Sequence, residues 1–378
     1  MTKKKRVSLL EHFSVIQDPR IDRRKEHKLI DIITIAILAV ICGADAWTSV
    51  EEFGKAKYDW LSSFLELPNG IPSHDTFGRV FALLSAKAFQ ECFQRWVNDI
   101  SELTQNQIIA IDGKTVRRSY DSGSGKKAIH IVSAWATANR IILGQVKTEE
   151  KSNEITAIPE LLKLLELKGG IVTIDAMGCQ KRIAALIREK NADYVLALKG
   201  NQSTLHEKTK AFFEAAEKTN FEKVEHDYYE TSEKGHGRFE IRRYWLTSTV
   251  ECLSDADKWK DLKTIGMVES TRAIDDQISS EIRYYISSLK QDAKKVATAV
   301  REHWGIENSV HWVLDVAFQE DLCRIRKDNG PENFSLLRRF ALNLLRQDKS
   351  TKLGINSKRL RAGWDQGYLL SLLDLKEF

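Results

Sequence analysis

Proline is scarce in this chain: five residues in 378, two of which, Pro68 and Pro72, share one short segment. So little proline, beside a hydrophobic fraction of 42%, excludes a disordered or proline-rich interaction protein over most of the length. Cysteine is also sparse. Cys42, Cys92, Cys179, Cys252 and Cys323 are odd in number and lie far apart, so no zinc knuckle or CxxC redox pair is available, and reduced thiols in a cytoplasmic protein are expected. Long apolar runs are missing too. The most hydrophobic stretch, Leu29 to Cys42, spans 14 residues and includes Asp31, whereas a bilayer crossing takes about 20 apolar residues. It reads as a buried helix, and no membrane partner is expected. Neither internal repeats nor low-complexity tracts occur.

Charge is plentiful, at 29% of residues, and the net value of +5 is modest. The two signs are segregated along the chain. Met1 to Lys28 holds nine Lys/Arg against four Asp/Glu, Gly113 to Lys151 eight against three, and Glu320 to Arg361 eleven against five. Acidic residues gather instead between Glu207 and Glu233. Clustered cations favour a polyanionic partner, although each run taken alone can equally be a solvated face.

Up to about residue 103 the hydrophobic pattern is helical: Leu29, Ile32, Ile33, Ile37, Leu38 and Ile41 fall at helical spacings. Gly43 is a plausible stop, with Asp45 or Thr48 expected to cap the next helix and Ser73, His74 or Asp75 the one after the Pro68–Pro72 loop. From Gln107 the period changes. Ile108 to Ile111, Ala128 to Thr137 and Ile141 to Val146 read as three successive strands. Helix Ile155–Leu167, strand Ile171–Ile174, helix Gln180–Lys190 and strand Tyr194–Leu198 follow, an alternation that predicts an α/β fold with a partly parallel sheet. Residues 200–290 read as an insertion, with an acidic helix and strands at Arg238–Thr247, Leu262–Ser270 and Ser280–Ser288. A long helix from Ala293 to Phe318 and another over Asn333–Leu345 complete the pattern.

Three acidic segments stand out from this background: IIAIDGKT around Asp112, IVTIDAMG around Asp175 and HWGIENSVHW around Glu307. Two carboxylates at the ends of apolar strands and a third on a helix can converge on hard divalent cations, which leave open positions for phosphate oxygens. His303, Glu307 and His311 fall at i, i+4 and i+8, along one helical face. A zinc site built from those three alone is the weaker alternative, since HExxH is absent and catalytic zinc wants three strong ligands. Trp135, Trp245 and Trp312 read as core rather than as base-stacking residues.

Together, IDGKTVRRSYDSG, IVTIDAMGCQ with YVLALKGNQ, HGRFEIRRYW, and the segment from Arg301 to Leu345 resemble bacterial insertion-sequence transposases of the DDE class, in the H-repeat-associated subgroup. The FSVIQDPRIDRRKEHKLIDIITIAILAVICGADAW segment is similar to the helical region that precedes the catalytic core in that subgroup. The resemblance implies an all-α associated domain over residues 1–103, an RNase H-like α/β catalytic domain over residues 104–348 with its partly β insertion, and a tail over residues 349–378. It also implies that Asp112, Asp175 and Glu307 hold two Mg²⁺ ions, with Mn²⁺ able to substitute, and that a homodimer acts on transposon ends and target DNA near the nucleoid. A related, larger transposase group carries Tyr, Arg, Glu and Lys around the glutamate; here those positions are Val300, His303, Glu307 and Leu314, so the handling of strand intermediates stays open.

Expected DNA contacts are Lys114, Arg117 and Arg118 after the first aspartate, Lys199, Asn201 and Gln202 after the fifth strand, and His236 and Arg238 in the Gly-flanked loop. Arg301, as a displaced cation, with His303, Arg324, Arg326 and Lys327 completes the set. The basic arm through Lys28 is the expected reader of the transposon end. Two other readings stay open: an RNase H-like nuclease without strand transfer, and a DNA-binding descendant that has lost catalysis.

Overall fold

The computed structural model of the chain describes residues 9–101, 105–123, 125–149, 153–235, 237–251, 253, 255–274 and 277–373. Six α-helices occupy its amino-terminal part: α1 (Leu9–Phe13), α2 (Leu29–Ile41), α3 (Trp47–Ala56), α4 (Tyr58–Leu61), α5 (His74–Leu83) and α6 (Ala86–Ile100). A helix that is apolar on every side has to be enclosed on every side. Accordingly every residue of α2 from Asp31 to Ile41 is buried, and the Asp31 carboxylate accepts the Leu67 N–H at 3.1 Å. Ser73 caps α5 by accepting from the Thr76 N–H, as one of the expected candidates. Neither Asp45 nor Thr48 caps α3, which starts behind Ala46; Asp45 is drawn instead to Arg359, 3.4 Å away.

Nine strands form one mixed sheet in the order β3-β2-β1-β4-β5-β9-β8-β7-β6. β1 (Ile108–Thr115), β2 (His130–Ala136) and β3 (Ile141–Lys147) are antiparallel neighbours, while β4 (Ile171–Ile174) runs parallel to β1 and β5 (Asp193–Leu198) parallel to β4. Three antiparallel strands followed by two parallel ones make the RNase H-like half of the sheet. The segment expected as an insertion adds the other half: β6 (Asp227–Gly235), β7 (Arg238–Thr247), β8 (Thr264–Ile274) and β9 (Gln277–Ser287), all antiparallel, with β9 paired to β5. β6 carries no apolar alternation because it is an edge strand with Asp227, Glu230 and Glu233 along it. Helices α7 (Glu154–Leu164), α8 (Lys181–Glu189) and α9 (Ser203–Glu217) cross over between strands.

After β9, α10 (Ala293–His303) packs across β1, β4 and β5 through Val296, Ala297 and Val300. The long helix expected to continue to Phe318 is broken. The chain turns at Trp304, makes a π-helical turn over Glu307–His311, and resumes as α11 (Trp312–Val316). α12 (Gly330–Gln347) then runs through the middle of the molecule, buried almost end to end. It joins the helical region to the sheet: Asn333 donates to the Phe81 and Leu84 carbonyls at 2.8 and 2.9 Å, and Asn343 both accepts from and donates to the Ile142 backbone of β3 at 2.8 and 2.9 Å. Phe340 packs among Phe13, Phe93 and Trp96 in tilted and edge-on contacts, with ring centroids 5.1, 4.6 and 5.0 Å away. Residues expected as a tail form α13 (Ile355–Trp364) and α14 (Gln366–Leu372), which fold back on α12. No helix among the described residues is long and apolar enough to cross a membrane.

Candidate active site

Parallel pairing of β1 with β4 ends at Ile111 opposite Ile174, so Asp175 follows at the carboxyl end of β4 and Asp112 lies level with it on β1, which runs on to Thr115 paired with β2 alone. Ligand sites of α/β sheets gather at such ends. Each carboxylate is fixed by its own backbone: Asp112 accepts from the Gly113 N–H at 2.9 Å, and Asp175 from those of Met177 and Gly178 at 3.0 and 3.4 Å. At the end of α10, His303 Nδ1 lies 3.0 Å from Thr173 Oγ1 on β4, which anchors the start of the π-helical turn above the strand ends. Glu307 opens that turn. The three carboxylates line one cleft of about 270 Å³, with Lys199, Tyr284 and Trp304 also in its wall.

Wide π-helical turns frequently mark functional positions. Here the turn directs His311 Nδ1 at two carboxylates, 2.9 Å from Glu307 and 3.6 Å from Asp112. Donor atoms of Asp112, Glu307 and His311 all lie within 4.8 Å of one another, the one such group with metal-ligand chemistry among the described residues. The two-histidine zinc alternative therefore does not form, because His303 is turned away to Thr173.

Burial and like charge act together on the acids. Asp112 is pushed up to about 7, first by burial and then by Glu154, Asp175 and Glu307, against the opposing Gly113 hydrogen bond. Asp175 is raised by burial and by Glu154, with Lys199 acting in the opposite sense. Burial holds His303 down to about 4 and lowers His311, so both rings are neutral at physiological pH.

Glu154, which acts on both aspartates, was not legible as a site residue. It starts α7 and lies 2.7 Å from His130 Nε2, whose other ring nitrogen is 2.9 Å from Thr115 Oγ1. The glycine after Asp112 makes room for this pair: a Cβ on Gly113 would meet Glu154 Oε1 at 2.0 Å and His130 Nε2 at 2.4 Å. An acidic residue beside a helix cap is too common a pattern to have signalled this.

Cations expected to meet DNA are placed unequally. Lys114 is buried, with Nζ 2.7 Å from Asp315 and 2.8 Å from Asp321, which ties the end of β1 to α11 and the turn after it. Arg117 shares Asp321 at 3.2 Å yet stays exposed, and Arg118 is exposed beside it. Lys199 is exposed at the cleft, whereas Asn201 and Gln202 donate to the carbonyls of Ala176 and Cys179 at 2.6 and 3.0 Å and brace the loop carrying Asp175. Arg301 leaves the site for Glu233 on β6, 3.0 Å away. Arg238 lies at the far tip of β7, 3.6 Å from Glu240, and His236 falls outside the described residues. Arg324, Arg326 and Lys327 line a groove with Arg79 and His74, between the helical region and the segment preceding α12. Of the three tryptophans expected in the core, Trp135 is buried and Trp245 half-buried, but Trp312 is 59% exposed because its position on α11 faces outward.

A mixed α/β sheet with carboxylates gathered from two neighbouring strands and the turn after α10 defines the site. The chain belongs to the DDE transposases: residues 103–344 match the transposase DDE domain, and residues 10–97 match the DDE_Tnp_1-associated domain. It is 46% identical to the H repeat-associated putative transposase YhhI of Escherichia coli K12 over 370 residues, 97% of each chain. It is likewise 46% identical to the putative transposase YncI of Escherichia coli O157:H7, covering 97% of this chain and 94% of that one. Among solved structures, the piggyBac transposase synaptic complex with hairpin DNA overlaps it at a TM-score of 0.46 and 11% identity, over 97% of this chain and 80% of that one.

Proposed function

We propose that this protein is a divalent-metal-dependent DNA transposase that cuts at the ends of an insertion sequence and joins them to target DNA, with Asp112, Asp175 and Glu307 holding the ions. The observation that carries this reading is the convergence of the three carboxylates on one cleft, where burial and the neighbouring Glu154 raise both Asp112 and Asp175, and Asp175 and Glu307 raise Asp112 further. Such a donor set fits hard cations, since bound positive charge relieves the repulsion that shifts these acids. When bound, two Mg²⁺ or Mn²⁺ ions would stabilise the attacking and leaving oxygens of an in-line displacement.

The chain's own residues set the frame for that chemistry. The Gly113, Met177 and Gly178 amides aim the two aspartates, and Lys114 clamps β1 to α11 through Asp315 and to the turn after it through Asp321. In the first step water attacks a phosphodiester at the element's end, and the departing oxygen becomes a 3′-hydroxyl. In the second, that hydroxyl attacks a target phosphodiester, so one P–O bond forms as another breaks and no protein nucleophile is consumed. The groove of Arg79, Arg324, Arg326 and Lys327 supplies cations that position the duplex backbone without reading sequence. Pairing of two ends calls for two catalytic units, hence a homodimer on DNA.

The test is cleavage and joining of a labelled duplex carrying the element's terminal repeat, in Mg²⁺ or Mn²⁺, with wild type and Glu307→Gln. Metal-dependent nicking and strand transfer, both lost in the variant while DNA binding persists, are expected. Hydrolysis without joining would make the protein a nuclease of the same fold; binding with no cleavage would make it a non-catalytic descendant.

A further inference from the structure

We propose that His311 is a nitrogen ligand of the ion held between Asp112 and Glu307, so that this position is an Asp–Glu–His site biased toward Mn²⁺ over Mg²⁺. The inference rests on the metal-dependent reading above and extends it to a residue outside the three carboxylates. Its basis is geometric. His311 is 3% exposed, and its Nδ1 faces both carboxylates, 2.9 Å from Glu307 Oε2 and 3.6 Å from Asp112 Oδ2. A ring placed only to steady Glu307 has no need to face Asp112 as well.

All three donors lie within 4.8 Å of one another, and Glu307 is 60% exposed, so its carboxylate is free to close that span by rotation. Asp112 and His311, in contrast, are fixed by the strand and by burial. The π-helical turn places Glu307 and His311 on a common face where α10 has ended and α11 has not begun.

The other side of the ring fits a ligand as well. Metal-bound imidazoles pass their second N–H to a carboxylate, carbonyl or water, which fixes the tautomer. His311 Nε2 is buried and has no hydrogen-bond partner in the protein, and the same is true of Glu320 Oε2, on a carboxylate close enough to act electrostatically on His311. Nδ1 is the nitrogen that faces the two carboxylates, so a ligand at this position would use the Nδ1 lone pair and leave the ring's N–H at Nε2, on the Glu320 side. Hard oxygen-only sites suit Mg²⁺, and one imidazole shifts the balance toward a first-row transition ion such as Mn²⁺.

The experiment is electron spin-echo envelope modulation on the full chain loaded with one equivalent of Mn²⁺, in buffer free of nitrogen. Wild type is expected to show ¹⁴N modulation that converts to the ¹⁵N pattern when histidine alone is ¹⁵N-labelled. The modulation should vanish in His311→Gln and survive in His303→Gln. Mn²⁺ affinity of His311→Gln should fall by at least the order of 10–100-fold seen when a ligand's supporting partner is removed, with a smaller change for Mg²⁺. Bound Mn²⁺ with no ¹⁴N modulation in wild type, or modulation that persists in a folded His311→Gln, would overturn the assignment and leave the carboxylate site standing. Failure of wild type to bind Mn²⁺ at all would overturn both readings. Should His311→Gln not fold, the labelled wild-type spectrum still shows whether a histidine is bound, and modulation that survives in His303→Gln and in His206→Gln leaves His311, the histidine grouped with both carboxylates.

Discussion

Gly113 shows how much a single residue type can determine at this site. Its missing side chain is the space that Glu154 and His130 occupy, at 2.0 and 2.4 Å from where a Cβ would sit. Gly113→Ala should therefore lose about 1–3 kcal/mol of stability from overpacking, and much of that loss should return in the Gly113→Ala/Glu154→Ala double variant. Urea unfolding of the four proteins measures the coupling, and strict additivity would mean that the strand, not Glu154, absorbs the clash. Asp112 gives a second prediction, through pH. Its native value of about 7 lies above the 3.8 of the free side chain, so between these pH values the metal-free native state binds more protons than the unfolded state. Its contribution to stability consequently falls as pH rises from about 4 to 7 and is flat beyond. In EDTA, wild type minus Asp112→Asn should show that slope, and added Mn²⁺ should raise the melting temperature more at pH 8 than at pH 5. Asp112, Asp175 and Glu307 were legible as candidates for one cleft because an acid closing an apolar run, and a glutamate on a helix after an insertion, leave a mark in the sequence. Glu154 and the direction of His311 were not, since each depends on a neighbour remote in the chain.

Helix α12 carries the clearest lesson at the scale of elements. Its apolar spacing was legible, but nothing in the cationic run from Glu320 to Arg361 marked Arg338 and Arg339 as buried. Glu320 makes this possible: it accepts from Arg339 at 2.9 Å and from Ser335 at 2.8 Å, inside the 3₁₀ turn Glu320–Leu322. Burial opposes its charge, yet Arg339, Arg338 and Lys114 outweigh burial and hold it down to about 2. Glu320→Gln leaves buried cations uncompensated and should destabilise the protein by about 3–5 kcal/mol. A native value below that of the unfolded chain contributes stability above about pH 4.5 that is lost as pH falls toward 2. The variant's urea midpoint should accordingly change less than wild type's between pH 5 and pH 3; an equal change would show that the arginines are neutralised elsewhere. β6, α13 and α14 escaped notice for the related reason that edge strands and short docking helices take their stability from packing partners rather than from their own periodicity.

Across the whole molecule, α12 makes the helical region and the RNase H-like sheet one body, and the cationic groove runs along their junction. Arg79, Arg324 and Lys327 are exposed there, and Asp45, an acid of the same groove, is engaged with Arg359 at 3.4 Å. Lys114 is the opposite case, enclosed by Asp315 and Asp321. The two kinds of lysine and arginine should separate in one experiment. Removing one cation from a DNA phosphate lowers the slope of log affinity against log salt by about 0.9, so the triple variant Arg79→Ala/Arg324→Ala/Lys327→Ala should lower it by about 2.7. Affinity should weaken alike on the terminal repeat and on unrelated duplexes, because phosphate contacts carry no sequence information. Lys114→Ala should leave the slope unchanged and reduce stability instead. Fluorescence anisotropy across a salt series reads the slopes, and urea unfolding the stability. An unchanged slope in the triple variant would place the duplex elsewhere, on exposed cations such as Lys199 at the cleft, and the groove would then serve only to join the two halves of the molecule.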